Sequence, residues 1–185
     1  MVIRRAKIED SKVIASHMML AMGDIVYKFI GENSTEKALQ FLEYLIIKKR
    51  NQYSFENCWV VEDEKEIVAL ANVYNGKKLQ QLRAPVAATI KLMFDREFHP
   101  EDETQTGEYY IDCIAVQPKQ QGKGIGCKLF EFLILEYVHK RNITLGLLVE
   151  EYNTDAKRLY LKLGFELVGN KTLTGKKMQH LQLQN

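Results

Sequence analysis

The sequence predicts an α/β fold, a mixed sheet with some parallel pairing flanked by helices, and three observations carry that prediction. Strand-like and helix-like segments alternate through the second half of the chain, the pattern of crossover connections. The 185 residues are 46% apolar and 27% charged, the composition of one ordinary globular domain rather than of a disordered or fibrous chain. A glycine-rich hexapeptide, Gln121-Gly122-Lys123-Gly124-Ile125-Gly126, stands between a predicted strand and a predicted helix.

Taken in order, Val2–Arg5 reads as a short strand. Asp10 and Ser11 cap a helix expected to reach about Gly23, with Val13, Ile14, His17, Met18 and Ala21 on one face. Ser34-Thr35-Glu36-Lys37 opens a second helix to about Arg50, where Leu39, Leu42, Ile46 and Lys49 follow the helical period. Cys58–Val61 and Ile67–Tyr74 are apolar, β-branched runs joined by the charged segment 62–66, which predicts a hairpin. In 76–107 the pattern is weakest: Leu79, Leu82, Val86, Ile90 and Met93 suggest a helix broken around Pro85, and 95–107 reads as loop. Beyond it come a strand at Tyr109–Val116, an apolar helix from Gly122 to about Lys140, a buried strand at Ile143–Val149 and a helix at Asn153–Leu163. Phe165–Val168 and Met178–Leu183 read as final strands. In the last, Leu181 and Leu183 shift the apolar parity set by Met178 and His180, which leaves room for a bulge or another register.

The 26 Lys and Arg against 24 Asp and Glu leave a charge of +2, too even to argue for nucleic acid or a membrane surface. Cys58, Cys113 and Cys127 have no C-x-x-C spacing, so neither a disulfide framework nor a zinc motif is expected, and a reducing cytosol fits. The four histidines lack the i, i+4 pairing of a helical metal site. Glu9 and Asp10 interrupt the start where a secretory signal would be apolar, and no apolar run is expected to reach the roughly 18 residues of a membrane span. These readings predict a single cytoplasmic domain over residues 1–185 that works without a metal, a nucleic acid or a membrane. Monomer and homodimer both stay open, the second through pairing of the Met178–Leu183 strand with its copy.

Glycines at the strand–helix junction let the backbone turn tightly and bring several N–H groups onto an anion, and the following helix adds its unpaired amides. A phosphate or pyrophosphate is the natural guest; a plain glycine-rich turn is the alternative. Walker A spacing fails, because Gln117 stands where its first glycine belongs and Gly124 follows Lys123. The Rossmann spacing fails too, with Cys127 or Leu129 at the third glycine.

The segment Tyr110–Pro118 followed by Gln121-Gly122-Lys123-Gly124-Ile125-Gly126 resembles the acetyl-CoA-binding motif of the GNAT-type acetyltransferases, Q/R-x-x-G-x-G/A after a strand. Downstream, Asn153-Thr154-Asp155-Ala156-Lys157-Arg158-Leu159-Tyr160-Leu161-Lys162-Leu163-Gly164-Phe165 is similar to that family's N-x-x-A-x-x-x-Y-x-x-x-G-F. The resemblance covers a cofactor core at about 108–169, with acceptor-side variable segments at about 20–35 and 76–107. It implies a twisted sheet of six to seven strands with a splay at the acetyl-CoA site. The second motif also stands on local physics: Asn153 is a good N-cap, Gly164 suits a left-handed helix end, and Ala156, Leu159, Tyr160 and Leu163 share a stripe. On that stripe alone Tyr160 reads as core.

The resemblance implies that backbone groups of Ile114, Ala115 and Val116 hold the pantetheine arm. Gln121, Gly122, Lys123, Gly124, Ile125, Gly126 and Cys127 then wrap the phosphates, with Asn153, Lys157 and Tyr160 contributing from the second motif. It implies acetyl transfer to an amine-bearing small molecule or peptide, with Tyr160 as acid toward the CoA thiolate. An amine of pKa near 10 must first lose a proton. Glu108 and Asp112 share strand parity with Tyr110, and Glu108 is preferred slightly as a water-mediated base; ordinary carboxylates are the alternative for both. Cys113 has no flanking histidine to activate it as a nucleophile. The acids Asp95, Glu97, Glu101, Asp102, Glu103, Glu108 and Asp112 form either a lure for a cationic acceptor or a solvated loop. Two further readings stay open: a CoA-binding module without catalysis, and a binder of another phosphate ligand.

Overall fold

A computed structural model describes all of residues 1–185. Its strands are β1 (Val2–Arg5), β2 (Cys58–Asp63), β3 (Glu66–Asn75), β4 (Glu108–Val116), β5 (Thr144–Glu150), β6 (Glu166–Leu173) and β7 (Lys176–Leu183). Its helices are α1 (Ser11–Ile30), α2 (Thr35–Ile46), α3 (Leu79–Phe94), α4 (Ile125–Leu133) and α5 (Thr154–Lys162). One seven-stranded sheet runs β1-β2-β3-β4-β5-β7-β6, with β4 and β5 parallel and every other neighbour antiparallel. This is the mixed, helix-flanked α/β sheet that the sequence predicts.

The sheet has a core on each face. On one, α1, α2 and α3 bury Ile14, Met18, Val26, Phe41, Leu42, Val86 and Ile90 together with Val60 and Leu70 of the sheet. On the other, α4 packs Leu129, Phe130 and Leu133 against Val61, Val73, Ile111, Leu147 and Leu181, and α5 leans on it through Ala156, Tyr160 and Leu163.

Helix α1 overruns its expected end at Gly23 and stops at Gly31, which adopts φ 78°. A mid-helix glycine costs only about 1 kcal/mol relative to alanine, and Val26 and Ile30 extend the buried stripe beyond it. The chain kinks instead at Met22, with φ −141°. The buried face is Ile14, Ala15, His17, Met18, Met22, Val26 and Ile30, so Val13 and Ala21 lie off it. Contrary to the sequence expectation, Ile8–Ile30 is long and apolar enough to cross a membrane, with a mean hydropathy of 1.4. Ile14, Ala15, Met18, Met22, Val26 and Ile30 lie in the core with α2 and the sheet while Val13 and Leu20 stay exposed, the one-sided burial of a core helix. Helix α2 ends at Ile46 rather than near Arg50.

Three further departures are physical. Helix α3 is unbroken at Pro85, because Leu82, Val86, Thr89 and Ile90 anchor the turns on both sides. The predicted 122–140 helix begins only at Ile125 and winds as a π-helix over Ile134–His139. Strand β7 keeps continuous register with β5, and the irregularity falls in β6 between Leu167 and Gly169. The parity shift in β7 arises because both of its faces are covered: Leu181 joins the core while His180 is buried against Glu108. With a neighbour on each side, β7 has no edge left for a second copy.

Glu108 is 1% exposed, and both of its oxygens are committed. Thr104 Oγ1 donates to Oε1 at 2.6 Å, while His180 Nε2 and Gln182 Nε2 lie 2.8 and 2.7 Å from Oε2. A Cβ at Gly146 would collide with this carboxylate. Gly146→Ala should therefore destabilise the fold by about 3 kcal/mol, measured as a lower urea midpoint at unchanged slope.

Candidate active site

Strand β4 pairs with β5 only from Glu108↔Thr144 to Ile111↔Leu147, although both strands continue. The register of β4 against β3 slips at the same place, where Asn72 faces Cys113 and Val73 faces Ile111, so Asp112 is the extra residue of a bulge. A bulge bends its strand and increases its twist, and β4 diverges from β5 beyond it. The N–H of Gln117 bonds Val68 O on the β3 side at 2.9 Å. Alternation along the strand then aims the backbone groups of Ile114 and Val116 into the gap, and turns those of Ala115 toward β3. Gln121 Nε2 already donates to Val116 O at 3.2 Å, at the mouth of the gap.

The glycine loop closes that end. Gly122 and Gly124 have φ 77° and 75°, a conformation L side chains adopt at a penalty, and a Cβ at either would meet open space. Backbone conformation, not crowding, therefore selects glycine at both positions. Gly126 sits close to β4, 3.6 Å from Val116 by an added Cβ. Gly124 caps α4, and no side chain satisfies the amides of the first turn, which includes Ile125, Gly126 and Cys127. Lys123 is exposed, its Nζ donating to Gln120 Oε1 at 2.7 Å. Unpaired amides at a helix N-terminus are groups that can receive an anion.

Helix α5 is placed as its sequence dictates. Asn153 Oδ1 accepts from Ala156 N at 3.1 Å, and Gly164 takes φ 94° at the far end. The Asn153 side chain is thus engaged as a cap, while Lys157 is half-buried. The Tyr160 ring rests against Phe130 and Phe165, centroids 5.3 and 6.2 Å away, and burial raises its phenol pKa above the ordinary 10.0.

Asp112 lies across the sheet from Tyr160, on the α1–α3 face, in a buried polar cluster. Its Oδ2 accepts from Asn72 Nδ2 and its Oδ1 from Tyr74 OH, each at 3.3 Å. Tyr74 OH also reaches Glu103 Oε1 at 2.8 Å, where Gln52 Nε2 donates at 2.5 Å. Arg83 pairs with Glu103 inside and with Asp102 at 2.7 Å outside. Desolvation by burial, then the charge of Glu103, push the Asp112 carboxyl up to about 7 against the hydrogen bonds it accepts. Glu108 goes the other way. Burial raises its pKa, but the hydrogen bonds from His180, Thr104 and Gln182 outweigh that and hold it below 4.5. The thiol of Cys113 is pushed well above 9.0 by burial, which suppresses the thiolate a nucleophile needs.

The family model for the acetyltransferase (GNAT) family matches residues 26–165. The chain belongs to the GNAT acetyltransferase family. Its fold is similar to that of a crystallised acetyltransferase at 26% identity and TM-score 0.83, covering 100% of this chain and 99% of that one. It is also similar to an N-acetyltransferase from Staphylococcus aureus Mu50, with 22% identity, TM-score 0.82 and coverage of 99% and 100%. The ribosomal-protein-S18-alanine N-acetyltransferase from Escherichia coli is a more distant likeness, at 18% identity and TM-score 0.58 over 98% and 92% of the two chains. No curated protein matches the sequence.

Within this GNAT fold, the sequence singles out the glycine loop, Tyr160 and Asp112 as candidates but not the cluster of groups around Asp112. Gln52, Asn72, Tyr74, Arg83 and Glu103 come from a loop, a strand and a helix far apart in the chain. One signal was present: Asn72 and Tyr74 put polar groups into the apolar run of β3. Of the seven acids of 95–112, Asp95, Glu97, Glu101 and Asp102 are exposed, as a solvated loop predicts, whereas Glu103, Glu108 and Asp112 are drawn into hydrogen-bonded clusters inside; each of the seven has a partner. Asp95 and Glu97 pair with Lys91, Asp102 and Glu103 with Arg83, Glu101 accepts from Thr174 N, and Glu108 and Asp112 are bonded as described.

Proposed function

We propose that this protein moves the acetyl group of acetyl-CoA to an amine by direct attack, with Asp112 taking the amine proton and Tyr160 protonating the departing thiolate. The observation that carries this reading is the gap between β4 and β5, which runs from the amide cradle of α4 to the bulge at Asp112. The open amides of Ile125, Gly126 and Cys127, with Gly122, Lys123 and Gly124, suit the pyrophosphate. Ile114 and Val116 suit the amides of the pantetheine arm, while Ala115 faces away from it.

Acetyl-CoA supplies the acetyl group as a thioester. An ammonium reaching the gap from the α1–α3 side gives one proton to Asp112, and its freed lone pair forms the new C–N bond. As the C–S bond breaks, the electron pair leaves on sulfur and Tyr160 supplies a proton; the second proton lost from nitrogen restores the phenol through solvent and Asp112 releases the first, so R–NH3+ and acetyl-CoA become R–NH–acetyl, CoA–SH and one released proton. Of the two carboxylates considered for the base, the hydrogen bonding favours Asp112. A carboxyl of pKa about 7 can accept a proton and release it near neutrality. Glu108 has both oxygens engaged and is held as a carboxylate of low basicity.

The test is a thermal-shift titration with acetyl-CoA, beside ATP and NAD, followed by thiol release with an amine panel. At 100 times Kd a ligand stabilises by about 2.7 kcal/mol, which for a chain of this size raises Tm by roughly 5–11 °C. Gly124→Glu should lower acetyl-CoA affinity at least about tenfold, because it strains the left-handed turn and sets a carboxylate beside the phosphates. A shift with ATP or NAD and none with acetyl-CoA would mean that the loop holds another phosphate ligand.

A further inference from the structure

Beneath the kink of α1 lies a partly open cavity of about 40 Å3 that reaches Asp112. Its walls are Met22, Ile25 and Phe29 of α1, with Phe98, Pro100 and Leu173. Its floor is polar: Gln52, Tyr53, Glu103, Tyr110 and Asp112, with Arg83 at the side. Gln52 is only 4% exposed, its Nε2 is spent on Glu103 and Tyr74, and its Oε1 has no hydrogen-bond partner. A buried acceptor without a donor is expensive, and here it stands in the same floor as a carboxylate. Both groups call for a donor, and an ammonium offers three N–H bonds at once.

Charge and shape narrow that donor. Among the lining residues, Glu103 and Asp112 against Arg83 leave a single negative charge, enough for one cation. A second ammonium on the same molecule would meet the apolar wall or the guanidinium, with no carboxylate to pair it. The roof is the tip of the β6–β7 hairpin, tied down across the mouth. Lys28 Nζ donates to Thr174 O at 3.2 Å, Thr174 N to Glu101 Oε2 at 2.9 Å, and Lys171 Nζ to Asp102 O at 3.3 Å. The lining leaves room for an amine on a slim arm rather than for the width of a peptide backbone.

We infer that the acceptor is a small primary monoamine with a short, unbranched apolar arm, held by Asp112 and Gln52 Oε1 beneath a roof formed by Leu173. This rests on the acetyl-transfer reading above, and the experiment separates the two. With acetyl-CoA binding verified by thermal shift, kcat/KM is measured for butylamine and for 1,4-diaminobutane, which share a length and differ in the second charge. Spermidine, a lysine-containing peptide and hexylamine complete the panel.

Butylamine should exceed the diamine and spermidine by at least about tenfold, with the peptide slower still. Leu173→Ala, at the partly exposed hairpin tip, should shift the preference toward hexylamine by about tenfold, since it opens the end of the cavity. Gln52→Leu should raise the KM for butylamine at least about tenfold while leaving the thermal shift with acetyl-CoA intact. Turnover of the diamine, spermidine or the peptide equal to that of butylamine overturns the inference and leaves acetyl transfer standing. So does a chain-length preference that Leu173→Ala does not move. A protein that acetyl-CoA fails to stabilise overturns the reading beneath it, and the inference with it.

Discussion

Asp112→Asn should lower kcat/KM for the amine at pH 8 by about 10²–10⁴-fold, the usual contribution of a positioned general base. In the wild type, the rate should climb as pH rises through about 7, where burial and the Glu103 charge place this carboxyl, and the climb should be absent from the variant. The sign for stability is opposite. An acid whose pKa rises from 3.8 to about 7 on folding favours the folded state in its protonated form. That contribution is fully present below about pH 4 and disappears as pH rises toward 7. The variant carries no such titration, so its Tm relative to wild type should increase between pH 4 and pH 8. An inactive Asn variant that is also the more stable protein at pH 8 would separate loss of the base from loss of the fold. Wild-type activity in Asp112→Asn would remove Asp112 from the chemistry. Because Glu108 has a lowered pKa, it stabilises the fold above its unfolded value and loses that effect in acid. The comparison with wild type cancels that background.

The contrast between these two carboxylates marks where sequence reading stops. Both fall on one strand parity, and nothing local distinguishes them. Their difference is made by partners 72 and 74 residues from Glu108, at His180 and Gln182, and, for Asp112, by burial and the charge of Glu103, which outweigh the bonds it accepts from Asn72 and Tyr74. The partners of Glu108 depend on β7 inserting between β5 and β6, a strand order that periodicity does not encode. The glycine loop and α5 were legible for the converse reason. Positive φ at Gly122, Gly124 and Gly164 and the cap at Asn153 are short-range demands, written in residues adjacent to the turns they build. The same limit explains α1 and α3. Gly23 and Pro85 are local breakers, and in both helices the burial of the flanking turns outweighs a local penalty.

Tyr160→Phe should lower kcat by about 10²-fold while changing the KM for acetyl-CoA little, because an acid needed only as the C–S bond breaks contributes to the transition state and not to binding. The substitution keeps the ring between Phe130 and Phe165, so Tm should remain within about 2 °C of wild type. A purely structural tyrosine predicts the reverse: unchanged kcat, with any effect confined to Tm. Burial sharpens the expectation. It raises the phenol above pKa 10, whereas a thiol ionises near 8.5, so full proton transfer to a free thiolate runs uphill. Tyr160 would therefore act while negative charge is still building on sulfur, as a hydrogen-bond donor that completes its transfer late. Its contribution should shrink as the leaving thiol becomes more acidic. Acetyl thioesters of a series of thiols with falling pKa should then bring the Phe variant progressively closer to wild type. A constant ratio across that series would show that the phenol does not protonate sulfur, whatever the size of the loss in kcat.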